Sequence, residues 1–352
     1  MKVLHFVNEN RLSWANPWVQ LLSFLQGKGI ENVVLCNPGG TLGSKIESAG
    51  IPVVNYKPLV SSLPCLCKRA GGLIEEIKPD LIHTRLSSAA MIGGYWGKRL
   101  GIPVISTIDK YSKRKYSRRS DHLVAVSDSV RQWLVNTGHD PETISVIFNP
   151  LNCSQYSKDL KVREKFREDH NVREEEFIIT GAGRFVEWKG FDVLLNAVCK
   201  LPDTIPFRLW LAGDGSELKK LQGIAENDPR LSGKVTFLGF VNDVRPLLWA
   251  SDIFVLPSRE PEPFGLILLE AMSSGLPVIA TSAGGPLDMV NKDSGCLVPP
   301  GDIRALSKSI EQCMGKKNLQ KMGRAALVRS KQFDVKQIGD EYLELYSRFC
   351  TK

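Results

Sequence analysis

Short apolar runs alternate with longer amphipathic segments along the first half of the chain. Each run is typical of a buried strand, and the segment after it has helical spacing of its apolar positions. Ser127 opens one such helix as its N-cap, Asn16 and Pro17 open another, and Gly27 closes it. The predicted strands are VLHFV at 3–7, NVVLC at 32–36, DLIHT at 80–84, PVISTI at 103–108, HLVAV at 122–126 and SVIFN at 145–149. This alternation predicts a parallel sheet covered by helices.

A second series of strands follows the charged stretch at 161–176, which reads as a helix and a turn. The pattern therefore predicts an α/β protein with two Rossmann-like domains, each with a parallel sheet, and a cleft between them. We expect an acceptor-side domain at 1–165, a donor-side domain at 166–334, and an amphipathic helix within 335–352 that packs back toward the first domain. The strands of the second series are FIITGAG at 177–183, FRLWLAG at 207–213, VTFLGF at 235–240, IFVLPS at 253–258 and PVIATS at 277–282.

Composition and length agree with two cores in a globular protein. The chain has 352 residues, of which 43% are hydrophobic and 24% charged. We expect a soluble, cytoplasmic protein, because no apolar run is long enough to span a bilayer and MKVLHFVNEN turns polar too soon for a signal peptide. The eight cysteines lack metal-ligand spacing and are interpreted as reduced thiols. The sequence predicts no metal site.

Positive charge is concentrated in the first half. Residues 1–165 contain 22 Lys and Arg against 13 Asp and Glu, within a net charge of +8 for the whole chain. The densest cluster, called the basic loop below, consists of Lys110, Lys113, Arg114, Lys115, Arg118 and Arg119. Its partner is expected to be anionic: an acidic membrane surface, a phosphorylated acceptor or a nucleic acid. The alternative is a solvated loop without a partner.

The segment PEPFGLILLEAMSSG at 261–275 is the strongest candidate for a binding site. It places Glu262 in a loop, Gly265 at a turn and Glu270 just past the first turn of a helix. Two carboxylates and the free N–H groups of that turn suit the hydroxyls and phosphates of a nucleotide sugar. The alternative is an ordinary surface helix with an acidic residue near its start.

Two cations follow the first strand of the second series. Arg184 comes just after that strand, and Lys189 precedes Gly190 and a helix. Such cations can neutralise a diphosphate without a metal and stabilise the charge that develops on a departing nucleoside diphosphate. The alternative is a pair of surface cations near a turn.

At this point the sequence resembles the retaining glycosyltransferases of the GT-B fold, in particular the large family 4, which uses nucleotide-activated hexoses. The resemblance covers essentially the whole chain and is most specific at 180–302. In the first half it includes AVSDSVRQWLVNTG at 125–138 and SVIFNP at 145–150. In the second half it includes GRFVEWKG at 183–190, AGDGSE at 212–217, VTFLGFVND at 235–243, EPFGLILLEAMSSGLPVIAT at 262–281, GGP at 284–286 and GCLVPPGD at 295–302.

The resemblance implies roles for individual residues. Arg184 and Lys189 would hold the donor diphosphate, Glu270 the ribose and Glu262 the hydroxyls of the transferred sugar. Phe264, Gly265 and Leu266 would offer backbone donors near the phosphates. Val241 would present its main chain to the base. It implies a UDP- or GDP-linked sugar as donor substrate. It implies no cofactor and no metal ion.

Two segments depart from the family pattern. Relatives often have a glycine pair in the first loop, where this chain reads NENRLSWANPW at 8–18, and a histidine where it has Asp109. Asp109 is expected to act on the transferred sugar, and an ion pair with the basic loop is the alternative. His83 and Arg85 near another strand end would orient an anionic acceptor; for His83 the alternative is structural hydrogen bonding.

These observations together predict a retaining, metal-independent hexosyltransferase with Glu262 and Asp109 as catalytic residues. The expected acceptor is a saccharide of a cell-surface glycan such as lipopolysaccharide core, with the basic loop against the inner face of the membrane. One rival is a nucleotide-sugar epimerase of the same fold. The other is a non-catalytic protein that binds sugar nucleotides or nucleic acid, although no nucleic-acid recognition motif supports the latter.

Overall fold

The chain divides into two compact units. Unit 1 is Met1–Asn152 together with Phe333–Lys352, and unit 2 is Cys153–Gln332. The structure, a computed structural model, describes residues 1–9, 15–58, 60–202, 206–314 and 316–349. Most of the first loop, at 10–14, lies outside the described residues.

Unit 1 is a parallel sheet with helices between its strands. Its strand order is β3-β2-β1-β4-β5-β6-β7, so the chain changes direction across the sheet between β1 and β4. In its described residues the strands are β1 (Lys2–Val7), β2 (Glu31–Cys36), β3 (Val53–Asn55), β4 (Leu81–Arg85), β5 (Val104–Ile108), β6 (His122–Ala125) and β7 (Ile144–Val146). The helices up to β7 are α1 (Ala15–Gly27), α2 (Gly40–Ser48), α3 (Lys68–Ile77), α4 (Ser87–Leu100) and α5 (Asp128–Asn136).

Unit 2 repeats this plan with the order β10-β9-β8-β11-β12-β13. In the part of the unit that the structure describes, the strands are β8 (Phe177–Ala182), β9 (Phe207–Ala212), β10 (Val235–Gly239), β11 (Ile253–Leu256), β12 (Val278–Thr281) and β13 (Gly295–Val298). The helices are α6 (Leu160–Asp169), α7 (Phe191–Val198), α8 (Leu218–Asn227), α9 (Arg245–Ala250), α10 (Leu266–Ser273), α11 (Pro286–Met289), α12 (Ile303–Cys313) and α13 (Lys316–Ser330). Their apolar faces enclose the core around Phe185, Leu194 and Leu211.

The last helix, α14 (Val335–Phe349), returns to unit 1 and packs on α1. Its buried Ile338, Tyr342 and Leu345 join the unit 1 core, as the sequence stripe predicts. Gly339 permits the close approach, because a Cβ at that position would lie 2.2 Å from Cδ1 of Phe24.

The predicted α/β class with two Rossmann-like sheets is confirmed. The sequence pattern did not identify β3 and β13, because each is a run of three or four residues near a sheet edge. Asn16 lies inside α1, so the prediction that it is the N-cap was wrong, whereas the Ser127 side chain does accept from the N–H of Val130. Unit 2 begins earlier than the predicted boundary at 165, and Arg163 of α6 ion-pairs with Asp252 before β11.

Two further features concern the whole described chain. No described helix is both long enough and apolar enough to cross a bilayer. The described cysteines are free thiols: Cys36, Cys65, Cys67, Cys153, Cys199, Cys296 and Cys313.

Candidate functional site

The candidate site lies at the carboxyl edge of the unit 2 sheet, where β8 and β11 are neighbours but the chain leaves them in opposite directions. Ligands of open α/β sheets bind in the crevice at such a switch point. Three loops meet there, at 183–190 after β8, at 257–265 after β11 and at 282–285 after β12. Backbone hydrogen bonds hold them together: Arg259 N–H donates to Trp188 O at 2.7 Å, and Gly285 N–H donates to Glu262 O at 2.7 Å.

Glycine is required at two of the contacts between these loops. Gly190 has φ +67° and Gly284 has φ +78°, a left-handed conformation that side chains disfavour. A Cβ at Gly190 would lie 2.2 Å from the carbonyl oxygen of Pro257, and one at Gly284 would lie 2.0 Å from that of Glu262. The loops therefore approach each other as closely as bare backbone allows.

Lys189 and Glu262 form a buried ion pair across the switch point. Lys189 is 8% exposed and Glu262 7% exposed, and Lys189 Nζ donates to Glu262 Oε2. Ser258 Oγ donates to the same oxygen at 3.3 Å, and Lys189 Nζ lies 4.4 Å from the centre of the Trp188 ring. The sequence predicted both residues in one site, and the structure adds that they contact each other directly.

Arg184 lies on the loop after β8, with its side chain exposed to solvent. The backbone around it is fixed, because Gly183 N–H donates to Ala212 O at 2.9 Å and Phe185 N–H donates to Asp214 O at 2.8 Å. An exposed guanidinium on a hydrogen-bonded loop can reach an anion that arrives from solvent.

Glu270 is the fifth residue of α10, where the sequence placed it. Tyr156 donates its hydroxyl to Glu270 Oε1 at 2.6 Å. Burial raises the pKa of Glu270 to about 7, while the Tyr156 hydrogen bond lowers it and Asp243 raises it. Burial, followed by the Glu270 charge, raises the pKa of Tyr156 well above its ordinary value. Sequence reasoning missed Tyr156, since nothing local relates it to a residue 114 positions away.

The start of α10 provides backbone donors next to Glu262. Gly265 precedes the helix with φ +94°, and its carbonyl accepts from Leu268 N–H at 2.9 Å. The first N–H groups of a helix, here those of Leu266 and Ile267, have no partner within the helix and favour an anion. Phe264 is buried and anchors the loop just before this turn.

Val241 lies at the far side of the same edge, in the loop after β10. The neighbouring Phe240 is 81% exposed. Since β10 is separated from β11 by β9 and β8, the loops of Val241 and Glu262 follow strands about 14 Å apart. The predicted donor residues therefore spread along one edge, which suits an extended ligand.

In unit 1, the carboxyl edge of the sheet holds a buried cluster of Arg85, Asp109 and Asn149. Arg85 Nη2 donates to Asp109 Oδ1 at 2.7 Å and to Asn149 Oδ1 at 2.7 Å, and its Nε donates to Asp109 Oδ2 at 3.3 Å. The side chains of Arg85 and Asp109 are 3% and 11% exposed. The ion-pair partner of Asp109 is thus Arg85 of β4, and not the basic loop that the sequence offered as the alternative.

His83 lies within β4, two residues before its end at Arg85. It is buried, with Nδ1 2.5 Å from the Tyr346 hydroxyl and Nε2 2.7 Å from Thr107 Oγ1. Burial lowers its pKa well below the ordinary value. Both ring nitrogens are engaged in the core of unit 1, and this geometry fits the structural alternative for His83.

The basic loop contains a short 3₁₀ turn, Arg114–Tyr116, that packs on α4. Arg119 lies over the Tyr95 ring of that helix, 5.5 Å from its centre. A second turn, Pro64–Leu66, packs on α4 as well, and Trp96 Nε1 donates to Pro64 O at 3.1 Å. Leu66 on that turn is exposed. Helix α4 thus contacts two turns, the cationic one at Arg114–Tyr116 and the apolar one at Pro64–Leu66.

Comparison with known proteins gives consistent matches over the whole chain. Residues 162–327 match the family model described as glycosyl transferases group 1, and residues 18–155 match the model for glycosyltransferase family 4. Among curated proteins, two lipopolysaccharide core biosynthesis glycosyltransferases of Rhizobium meliloti are similar. LpsE is 30% identical over 98% of each chain, and LpsD is 27% identical over 100% of each. Among solved structures, HepE of Anabaena in complex with UDP and glucose superposes with a TM-score of 0.88 and 24% identity, over 99% of this chain and 100% of that one.

Proposed function

Because the chain belongs to the family of glycosyl transferases group 1, we propose that it transfers a hexose, with retention, from a nucleoside diphosphate to a saccharide hydroxyl. The resemblance to family 4 enzymes of the GT-B fold is confirmed by these matches. The observation that carries the proposal is the Lys189–Glu262 pair at the unit 2 switch point, beside the start of α10. A cation, a carboxylate and free N–H groups there suit a diphosphate and sugar hydroxyls.

The donor is proposed to lie along the carboxyl edge of unit 2. Lys189, Arg184 and the first N–H groups of α10 neutralise the diphosphate, and Glu270 accepts the ribose hydroxyls. Val241 presents its main chain to the base, and Glu262 binds hydroxyls of the hexose. These cations and donors supply the positive charge that a leaving diphosphate needs without a metal ion.

Retention follows if the acceptor attacks on the face from which the diphosphate departs. In this proposal an oxygen of the departing phosphate takes the proton of the acceptor hydroxyl, so the new glycosidic bond forms as the old one breaks. Donors fixed around the diphosphate stabilise the charge that develops on it during this step. Asp109, paired with Arg85, is proposed to act on the transferred sugar.

The acceptor is proposed to be a saccharide of a cell-surface glycan such as lipopolysaccharide core, as the names of LpsE and LpsD suggest. The basic loop is proposed to bind an anionic membrane surface, together with the exposed Leu66 of the turn that packs on the same helix. Lipid headgroups contribute about 1 kcal/mol for each basic residue near the surface. Replacing Lys113, Arg114 and Lys115 by Gln should then weaken binding to phosphatidylglycerol vesicles about 100-fold.

The control for that experiment is a triple replacement of Lys161, Lys165 and Lys219, exposed lysines of unit 2. It removes the same charge and should leave vesicle binding almost unchanged. Equal losses in both triple variants would mean that net charge alone governs binding, and the assignment of the basic loop would be withdrawn.

Donor binding is tested by calorimetry with UDP, GDP and their hexose conjugates, with and without EDTA. UDP is the first nucleotide to try, since HepE was crystallised with it. We expect binding that survives EDTA, and release of nucleoside diphosphate only with a saccharide acceptor. Glu262→Gln should abolish transfer with little loss of UDP affinity, while Glu270→Gln should chiefly weaken UDP. Turnover of the sugar without any acceptor would favour epimerisation, and a lack of binding to every nucleotide would remove the proposal.

A further inference from the structure

Tyr156 makes a contact that the proposed donor site does not explain. It ends the 3₁₀ turn Cys153–Tyr156, at the start of unit 2, and its hydroxyl donates to Glu270 Oε1 at 2.6 Å. Glu270 is the carboxylate assigned to the ribose, so one of its two oxygens already has a donor before any ligand binds.

The turn that carries Tyr156 is held on three sides. Trp249 of α9 donates Nε1 to the Tyr156 carbonyl at 2.9 Å. At the other end of the turn, Ser273 of α10 donates to Cys153 Sγ at 3.5 Å, and that thiol donates to Ser330 O of α13 at 3.5 Å. The turn therefore packs along α10, and these contacts fix the backbone that carries Tyr156 beside Glu270.

A carboxylate that receives a diol performs best when its plane and charge are fixed beforehand. Glu270 is partly buried, and burial alone would favour its protonated form, which donates where a ribose hydroxyl needs an acceptor. A hydroxyl donor on Oε1 favours the ionised form and leaves Oε2 to accept. Asp243 also faces this carboxylate and opposes its charge, but Arg245 pairs with Asp243 at 2.7 Å. Among the described residues of α13, β11 and β12, which flank α10, no charged group shifts the pKa of Glu270.

We infer that Tyr156 is a positioning residue for the donor: its hydroxyl holds Oε1 of Glu270, so that Oε2 faces the ribose as an ionised acceptor. This inference rests on the proposed function. Tyr156 has no role in the proposed function, and here it acts on the donor through Glu270.

The test compares Tyr156→Phe with the wild type in calorimetric titrations of UDP between pH 6 and pH 9. Loss of the hydroxyl should weaken UDP binding about 25-fold at pH 6 and only about threefold at pH 9. The midpoint of affinity against pH should rise by about one unit, because a larger share of Glu270 is protonated at each pH. Tyr95→Phe, the same chemical change on α4 in unit 1, is the control and should leave both quantities unchanged.

A ligand without the ribose hydroxyls separates positioning from a general structural effect. The 2′,3′-dideoxy analogue of UDP should bind Tyr156→Phe and the wild type equally. In a Glu270→Gln background the affinity for UDP should lose this pH dependence, and adding Tyr156→Phe should not restore it. Equal weakening of UDP and of the dideoxy analogue, or an unmoved midpoint, would overturn the inference while leaving the proposed function intact. If the wild type binds no nucleotide at all, the proposed function and this inference both fall.

Discussion

Replacing Glu270 by Gln should stabilise the protein at neutral and alkaline pH, although it damages the proposed donor site. The pKa of Glu270 rises on folding from 4.5 to about 7, mainly because of burial. Above pH 7 this side chain is ionised in both states, and its ionisation costs more free energy in the folded state than in the unfolded chain. A shift of this size corresponds to ~3 kcal/mol, since one pKa unit is about 1.4 kcal/mol.

The Tyr156 hydrogen bond is already part of that shift, because it lowers the pKa that burial alone would give. We thus expect Glu270→Gln to be more stable than the wild type by about 3 kcal/mol at pH 8. The folded state gains protons relative to the unfolded state between pH 4.5 and pH 7, so the difference should shrink through this window as pH falls. It should be close to zero near pH 4.5.

Urea denaturation at pH 8, pH 6 and pH 4.5 measures this difference, with thermal unfolding as a second readout. In a unit of this size, 3 kcal/mol corresponds to an increase in Tm of about 6–12 °C. Glu226→Gln, which removes an exposed carboxylate from α8, is the control and should change little at any pH. A Glu270→Gln variant that is no more stable than the wild type at pH 8, or equally stabilised at pH 4.5, would refute the reasoning.

Three further outcomes follow from buried contacts. Glu262→Ala should destabilise unit 2 by about 2–4 kcal/mol, because Lys189 stays buried without its partner. This range allows for about 1 kcal/mol of stabilisation that the Trp188 ring still gives the lysine cation. Adding Lys189→Met should recover most of the lost stability in urea denaturation. Burial lowers the pKa of His5 to about 4, so stability should fall by about 1.4 kcal/mol per unit as pH drops from 6.5 toward 4, and His5→Gln should flatten that slope. Gly284→Ala should cost at least about 2 kcal/mol and weaken UDP binding in calorimetry, and normal values of both would contradict the loop packing.

The sequence was sufficient to predict the two sheets and most of their strands, because parallel strands buried on both faces are continuous apolar runs. It also placed Glu262 in a loop and Glu270 on the helix after it, since a glycine and a helical apolar stripe flank these positions. Periodicity predicted a last amphipathic helix within 335–352, and α14 spans Val335–Phe349.

Partners distant in sequence could not be predicted in this way. The bonds from Tyr156 to Glu270 and from Arg85 to Asn149 span 114 and 64 residues, and no local pattern relates their ends. The sequence places His83 near the end of a strand. Its hydrogen-bond partner, the hydroxyl of Tyr346, comes from a residue 263 positions later in the chain. Local rules give elements and candidate chemistry, whereas side-chain partners depend on how the elements pack.

The composition of unit 1 from two separate stretches of chain has a consequence for synthesis. Leu151 N–H donates to Phe333 O at 2.9 Å, and Val335 N–H donates to Leu151 O at 2.9 Å, so the points where the chain leaves unit 1 and re-enters it are bonded together. A ribosome delivers α1 before unit 2 and its partner α14 only after unit 2, so α1 lacks that partner while the whole of unit 2 is synthesised. Unit 2 is continuous and can complete its core first. Unit 1 can therefore complete its core only after unit 2 has been synthesised, and until then the apolar surface of unit 1 that α14 covers is exposed on the nascent chain.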